Sequence, residues 1–181
     1  MHGTHTALPI GSPLPTFSLR ATDGTVYTLQ SFEQSRWLVV IFLANHCPYV
    51  GAWEDRLVAL GNTFGTRDVA FLAISSGNAE TFPTDSLEHM DQRARERGYP
   101  FPYLHDHDQS VAREFGATRT PEVFVFDAGR LLVYHGAVDS DYEGEPDTER
   151  YLEDALNHLL NGQTVQMPET PVVGCVIKYG L

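Results

Sequence analysis

Phe42-Leu-Ala-Asn-His-Cys-Pro-Tyr-Val50 is the stretch on which the fold turns. Before it, Trp37 to Ala44 is an unbroken apolar run of eight residues. A bilayer crossing needs about 20 such residues, so the run is no membrane span. It does not alternate with polar residues, so it reads as a strand buried on both faces, at the centre of a sheet. After Pro48 the period changes. Val50, Trp53, Leu57 and Leu60 recur at three and four, which is helical, and Gly61 reads as the stop. Proline suits the first position of a helix, where its missing N–H would be unpaired anyway. Cys47 therefore falls at the N-cap.

A sulfur at that position has two physical advantages. Free N–H groups of the first helical turn can donate to it, and the positive end of the helix dipole favours a thiolate. A thiolate is the nucleophilic form of cysteine. The plainer alternative is a small buried thiol, which is where most cysteines sit. His46 is adjacent and either adds positive charge or points to solvent.

Outward from this turn the chain reads as follows. Residues 1–15 are rich in Gly, Pro and Thr and read as an N-terminal arm, mobile or laid along the surface. Thr16–Leu19 and Val26–Leu29 read as strands around an Asp23-Gly24 turn, an N-terminal β-hairpin. Val69–Ser75 is a second buried strand. A helix opens near Thr84-Asp85, either of which can cap it, and runs to Gly98. Another helix starts at Asp108 and stops at Gly116. Glu122–Phe126 and Leu131–His135 form an antiparallel pair across Asp127-Ala-Gly-Arg130. The last helix spans about Thr148 to Leu160, and Pro171–Lys178 reads as an extended segment packed back on the body. Strands alternating with helices and ending in a hairpin plus helix make an α/β domain over residues 16–181. Its mixed central β-sheet is flanked by helices, with crossovers at 48–60 and 85–97.

A second feature lies far along the chain, in Arg119-Thr-Pro-Glu-Val-Phe-Val-Phe-Asp127. Thr120-Pro121 just before a strand is a favoured place for a cis peptide bond. Arg119 either steadies a sulfur anion or polar substrate or is a solvated surface group.

Composition narrows the function classes. The chain has 24 acidic against 12 basic residues, for a net charge of −12. Such a surface repels nucleic acid and anionic membranes, so neither is expected as a partner. The first residues show no basic, apolar leader, and cytoplasmic residence is the expectation. Two cysteines 128 residues apart, Cys47 and Cys175, are no disulfide framework. His105-Asp-His-Asp108 has metal-ligand residue types, but Asp108 as a helix cap accounts for it better. The acidic run Asp139 to Glu149 reads as a solvated loop without the spacing of a calcium loop. No cofactor-binding or metal-binding signature stands out.

Taken together, these motifs resemble the thioredoxin-like superfamily and its redoxin (AhpC/TSA, peroxiredoxin-like) branch. The resemblance rests on Gly11-Ser-Pro-Leu-Pro-Thr-Phe-Ser-Leu19, Asn45-His-Cys-Pro-Tyr-Val50 and Phe101-Pro-Tyr-Leu104. It extends through Thr120-Pro-Glu-Val-Phe124, Tyr134-His-Gly136 and Gly174-Cys-Val-Ile-Lys178. It implies a thioredoxin fold in which the Thr120-Pro121 loop faces Cys47. It also implies a thiol oxidoreductase in which Cys47 attacks a peroxide or a disulfide. The second thiol would be Cys175 or an external reductant such as thioredoxin. The chain departs from the pattern at Ala44. The peroxiredoxin-like group carries a first cysteine there, and the peroxidases carry a Thr or Ser; Val40 likewise replaces their proline. A dithiol within the turn is thereby excluded. Cys175 is either the resolving thiol or an inert buried residue. The other reading is a thioredoxin-fold binding or scaffold module whose catalytic apparatus has decayed.

Overall fold

The computed structural model describes residues 6–180. His2 and His5, whose residue type on the N-terminal arm suits adventitious metal binding, lie outside the described residues. The N-terminal hairpin pairs β1 (Ser18–Ala21) with β2 (Val26–Thr28), and the Asp23-Gly24 turn closes it. β2 ends one residue early because a short 3-10 turn, Leu29–Phe32, takes the residues after Thr28, and β1 lies two residues later than expected, with Arg20 and Ala21 paired to the strand at 103–105. β3 (Trp37–Leu43) and β4 (Val69–Ser75) match the sequence reading and pair in parallel. Helix α1 (Pro48–Phe64) makes the crossover between them.

α1 does not stop at Gly61. A Cβ there would come within 2.8 Å of Pro100 and 3.0 Å of Phe101. Glycine at this point admits a close neighbour and does not end the helix, which runs one turn further to a cap at Gly65. The next helix, α2 (Leu87–Arg97), ends at left-handed Gly98 as expected, but neither Thr84 nor Asp85 caps it. Ser86 does, accepting from the His89 N–H at 3.3 Å, while Pro83–Asp85 form a separate 3-10 turn.

The strand β5 (Tyr103–His105) is absent from the sequence reading. Three residues next to two prolines carry too little period to be seen. It pairs in parallel with β4 and antiparallel with β1, and so joins the hairpin to the sheet. Helix α3 (Ser110–Phe115) follows. Its first N–H groups go to buried Asp106, from Val111 at 3.2 Å and Ala112 at 2.9 Å. Asp108 accepts from Ser110, whose N–H lies at 3.0 Å, and the helix starts two residues later than expected. β6 (Arg119–Thr120), β7 (Glu122–Phe126) and β8 (Leu132–Gly136) come next, then α4 (Tyr151–Leu160) and β9 (Cys175–Val176).

The main sheet runs β2-β1-β5-β4-β3-β7-β8, and β6 and β9 form a separate antiparallel pair. β7 runs antiparallel to β3, so the sheet is mixed and β3 is central, as its apolar run requires. Alternate β3 side chains serve two cores. Val39, Ile41 and Leu43 pack with α1, α2 and α4, while Leu38, Val40 and Phe42 pack with α3 and the hairpin. Leu8, Gly11 and Leu14 donate backbone bonds to Phe115, Leu132 and Arg130, which lay residues 8–14 against the body.

The acidic run is not uniformly solvated. Asp139 is buried and accepts from Trp53 Nε1 at 2.7 Å and Arg56 Nη1 at 2.5 Å. A carboxylate that anchors the indole of α1 and a guanidinium is held inside by those partners.

Candidate active site

β3 ends at Leu43 and α1 starts at Pro48, so the four residues between them project from the edge of the central strand. Cys47 is the N-cap residue, as its place before Pro48 requires, and is only 3% exposed. Its side chain does not cap the helix. The thiol donates instead to the backbone carbonyl of Thr120, at 3.4 Å. The Thr120–Pro121 peptide bond is cis. The loop expected to face Cys47 does face it, through its carbonyl oxygen.

Cys175 lies beside them. It is the register partner of Thr120 across the β6–β9 pair. A Cβ on Gly174 would sit 1.9 Å from the Thr120 carbonyl oxygen, so only glycine lets this segment pass so close. Burial pushes the Cys175 thiol up to about 11. A hydrogen bond to Cys47 and the charge of that sulfur push in the same direction. The Tyr49 backbone N–H and the Arg119 guanidinium pull the other way. Arg119 is partly buried and donates from Nη1 to the Gly174 carbonyl at 2.8 Å. It is not a free surface group. It clamps the segment that carries Cys175.

His46 points to neither thiol in its hydrogen bonding. Its Nδ1 bonds the Asp85 carboxylate, and its ring stacks on Phe82 at 4.0 Å between centroids. Asp85 is fully buried and also accepts from the backbone N–H groups of Asn45, at 2.9 Å, and His46, at 3.3 Å. Three donors on one carboxylate fix the shape of the turn that presents Cys47. The sequence marked Asp85 only as a helix cap. Nothing in its spacing tells that the residue turns inward across 39 positions to His46.

A pocket of about 280 Å³ opens beside this turn. Ala44, His46, Phe82, Thr120, Ile177 and Lys178 are among the residues that line it. Ala44, the position where the chain departs from the redoxin pattern, is part of its wall. Among the described residues no group of three His, Cys, Asp or Glu side chains is placed to hold a metal ion. Of the ligand types at 105–108, the His105 and His107 rings meet edge to face at 5.5 Å between centroids, while Asp106 is taken by the N–H groups of α3.

The sequence profile of the AhpC/TSA family matches residues 10–135, more than two thirds of the chain. The chain belongs to the AhpC/TSA family. It is also similar to an uncharacterised conserved protein from Geobacillus kaustophilus. The identity is 39%, the TM-score 0.90, and the match covers 95% of this chain and 93% of that one. A hypothetical protein from Sinorhizobium meliloti 1021 is 34% identical over 97% of both chains, with a TM-score of 0.91. At lower identity the likeness is one of fold. The peroxidoxin BcpB of Mycobacterium tuberculosis is 22% identical over 68% of this chain and 82% of its own, with a TM-score of 0.58. A comparison with curated proteins finds no match. AhpC/TSA membership and the mixed sheet agree on a thioredoxin fold, and they support an oxidoreductase of thiol-disulfide type in general terms. No helix among the described residues is long and apolar enough to cross a membrane.

Proposed function

We propose that the protein is a thiol-dependent oxidoreductase in which Cys47 is the nucleophile and Cys175 resolves it. The observation that carries this reading is the register of Cys175 opposite Thr120, whose carbonyl holds the Cys47 thiol. With a peroxide, the Cys47 thiolate attacks one oxygen, the O–O bond breaks, and an alcohol or water leaves with a proton. Cys47 becomes a sulfenic acid. The Cys175 sulfur then attacks the Cys47 sulfur, the S–O bond breaks, and water leaves as the disulfide forms. An external dithiol such as thioredoxin returns both sulfurs to thiols by two exchange steps. With a disulfide substrate, Cys47 attacks one sulfur, the substrate S–S bond breaks and the first half leaves as a thiol; Cys175 then attacks the Cys47 sulfur, the second half leaves as a thiol, and the 47–175 disulfide forms.

The electrostatics give these steps an order. Burial raises Cys175 most, and the Cys47 sulfur raises it further. Conversion of Cys47 to a neutral sulfenic acid removes the repulsion between two thiolates, so Cys175 ionises more readily after the first step than before it. A reducing compartment such as the cytoplasm supplies the external thiol.

Thr120 and Pro121 act here through backbone shape, and Arg119 by holding Gly174. His46, held by Asp85 through Nδ1, lines the pocket beside the turn that carries Cys47. The test is intact-mass analysis after one equivalent of peroxide. Wild type should lose two hydrogens and form a 47–175 disulfide. Cys175→Ser should stop at a trappable sulfenate, and Cys47→Ser should stay unmodified. No change in wild-type mass would sink the proposal and favour a binding module, for which Ala44 is the one specific argument.

A further inference from the structure

Lys178 is the one lysine in the chain, in a protein that otherwise carries only arginine as its permanent cation. It lies in the segment that forms one wall of the pocket beside Cys47. Its Nζ stands 5.2 Å from the centroid of the Phe82 ring, and no ion pair joins it to a carboxylate of the described residues. His46 stacks on the same ring and has its Nδ1 taken by Asp85. Two basic groups thus border one aromatic side chain at the pocket wall, in a protein with net charge −12. The wall around them carries the apolar side chains of Phe82, Val176 and Ile177, next to the polar Asn78, Thr81 and Thr120.

We propose that this pocket binds a small amphipathic carboxylate, with its hydrocarbon body on those apolar side chains and its carboxylate on Lys178. The peroxide or disulfide that Cys47 attacks would then carry such a group, and this second clause rests on the function proposed above. An inorganic anion would leave the apolar side chains wet. A nucleotide would bring several negative charges to one ammonium in an acidic chain. A monoanion with an apolar body matches both the charge and the lining.

The test separates binding from chemistry. Titration calorimetry on Cys47→Ser protein uses a graded series of phenylalkanoates and the matching phenylalkanols. One or more acids should bind saturably, and each matching alcohol should bind about tenfold more weakly or worse, as for loss of a charged hydrogen bond. Adding Lys178→Met should weaken the acid by about the same tenfold factor and leave the alcohol unchanged, which also shows that the pocket still folds. Equal binding of acid and alcohol, indifference to Lys178→Met, or no saturable binding across the series would each overturn the proposal. Sulfenate trapping on wild type is read independently. Its failure with acid binding intact would refute the role of Cys47 and leave the pocket standing.

Discussion

Cys175 stands opposite Thr120 in the β6–β9 pair, and the Thr120 carbonyl accepts the thiol of Cys47 at 3.4 Å. One backbone residue therefore touches both sulfur-bearing segments. The two cysteines are 128 positions apart in sequence, and the cis-proline loop is what brings them to one place.

Gly174 keeps that pairing close. Gly174→Ala would drive a methyl group into the Thr120 carbonyl oxygen, at 1.9 Å if nothing moved. The segment must lift away, at a cost of about 1–3 kcal/mol, typical of overpacking. Urea unfolding should show that loss. The yield of 47–175 disulfide after stoichiometric peroxide should drop several-fold while sulfenate accumulates. An unchanged disulfide yield would show that the approach through Gly174 is not needed.

The ionisation of Cys175 should depend on Cys47. In wild type, burial and the neighbouring sulfur hold it up at about 11. Cys47→Ala removes the hydrogen bond and the charge and leaves the burial. The pH midpoint for alkylation of Cys175, followed by peptide mass, should then move down toward the ordinary thiol range near 8.5. A midpoint that stays put would mean that burial alone sets it.

Asp85 should matter to the turn more than a surface carboxylate would. Asp85→Ala strands the N–H groups of Asn45 and His46 and frees the imidazole. Loss of a buried charged acceptor should destabilise the protein by about 1–3 kcal/mol. Sulfenate formation at Cys47 should slow as the turn loosens. Stability equal to wild type would place the turn's support elsewhere.

Stability should fall on the alkaline side. Tyr99, Tyr103 and Tyr134 are all raised above the ordinary tyrosine range, chiefly by burial, and Cys175 is raised as well. Above about pH 10 the unfolded chain releases these protons while the folded one keeps them, so unfolding becomes easier as pH rises. Tyrosinate absorbance should appear together with loss of the far-ultraviolet signal. Tyrosinate appearing well before unfolding would show that these side chains titrate in place.

Much of the fold was legible because it rests on local periods. The apolar runs of β3 and β4 and the right-hand ends of α2 and α3 follow from hydrophobic spacing and left-handed glycines. Misreadings came where a residue answers to a distant neighbour. Gly61 serves Pro100 and Phe101, Asp106 and not Asp108 holds the N–H groups of α3, and Asp139 is drawn inside by Trp53 and Arg56. β5 is three residues long and owes its existence to β4 and β1 on either side.

The site divides in the same way. Cys47 at a helix start and a cis Thr120–Pro121 bond are local facts, and the chain announces them. That Asp85 steers His46, or that Lys178 reaches the wall beside Ala44, depends on how remote segments return to the β3 edge. No spacing rule carries such information.

Residues 174–180 do two jobs along one strip of chain: Gly174 and Cys175 meet the proline loop, and the residues after them wall the pocket. The jobs are separable by length. A chain cut after Val176 keeps both sulfurs and every residue of β6 and β9 yet discards Lys178. A carboxypeptidase nibbling inward would abolish ligand choice before it abolished sulfur chemistry. The two losses should be seen in that order in a single time course.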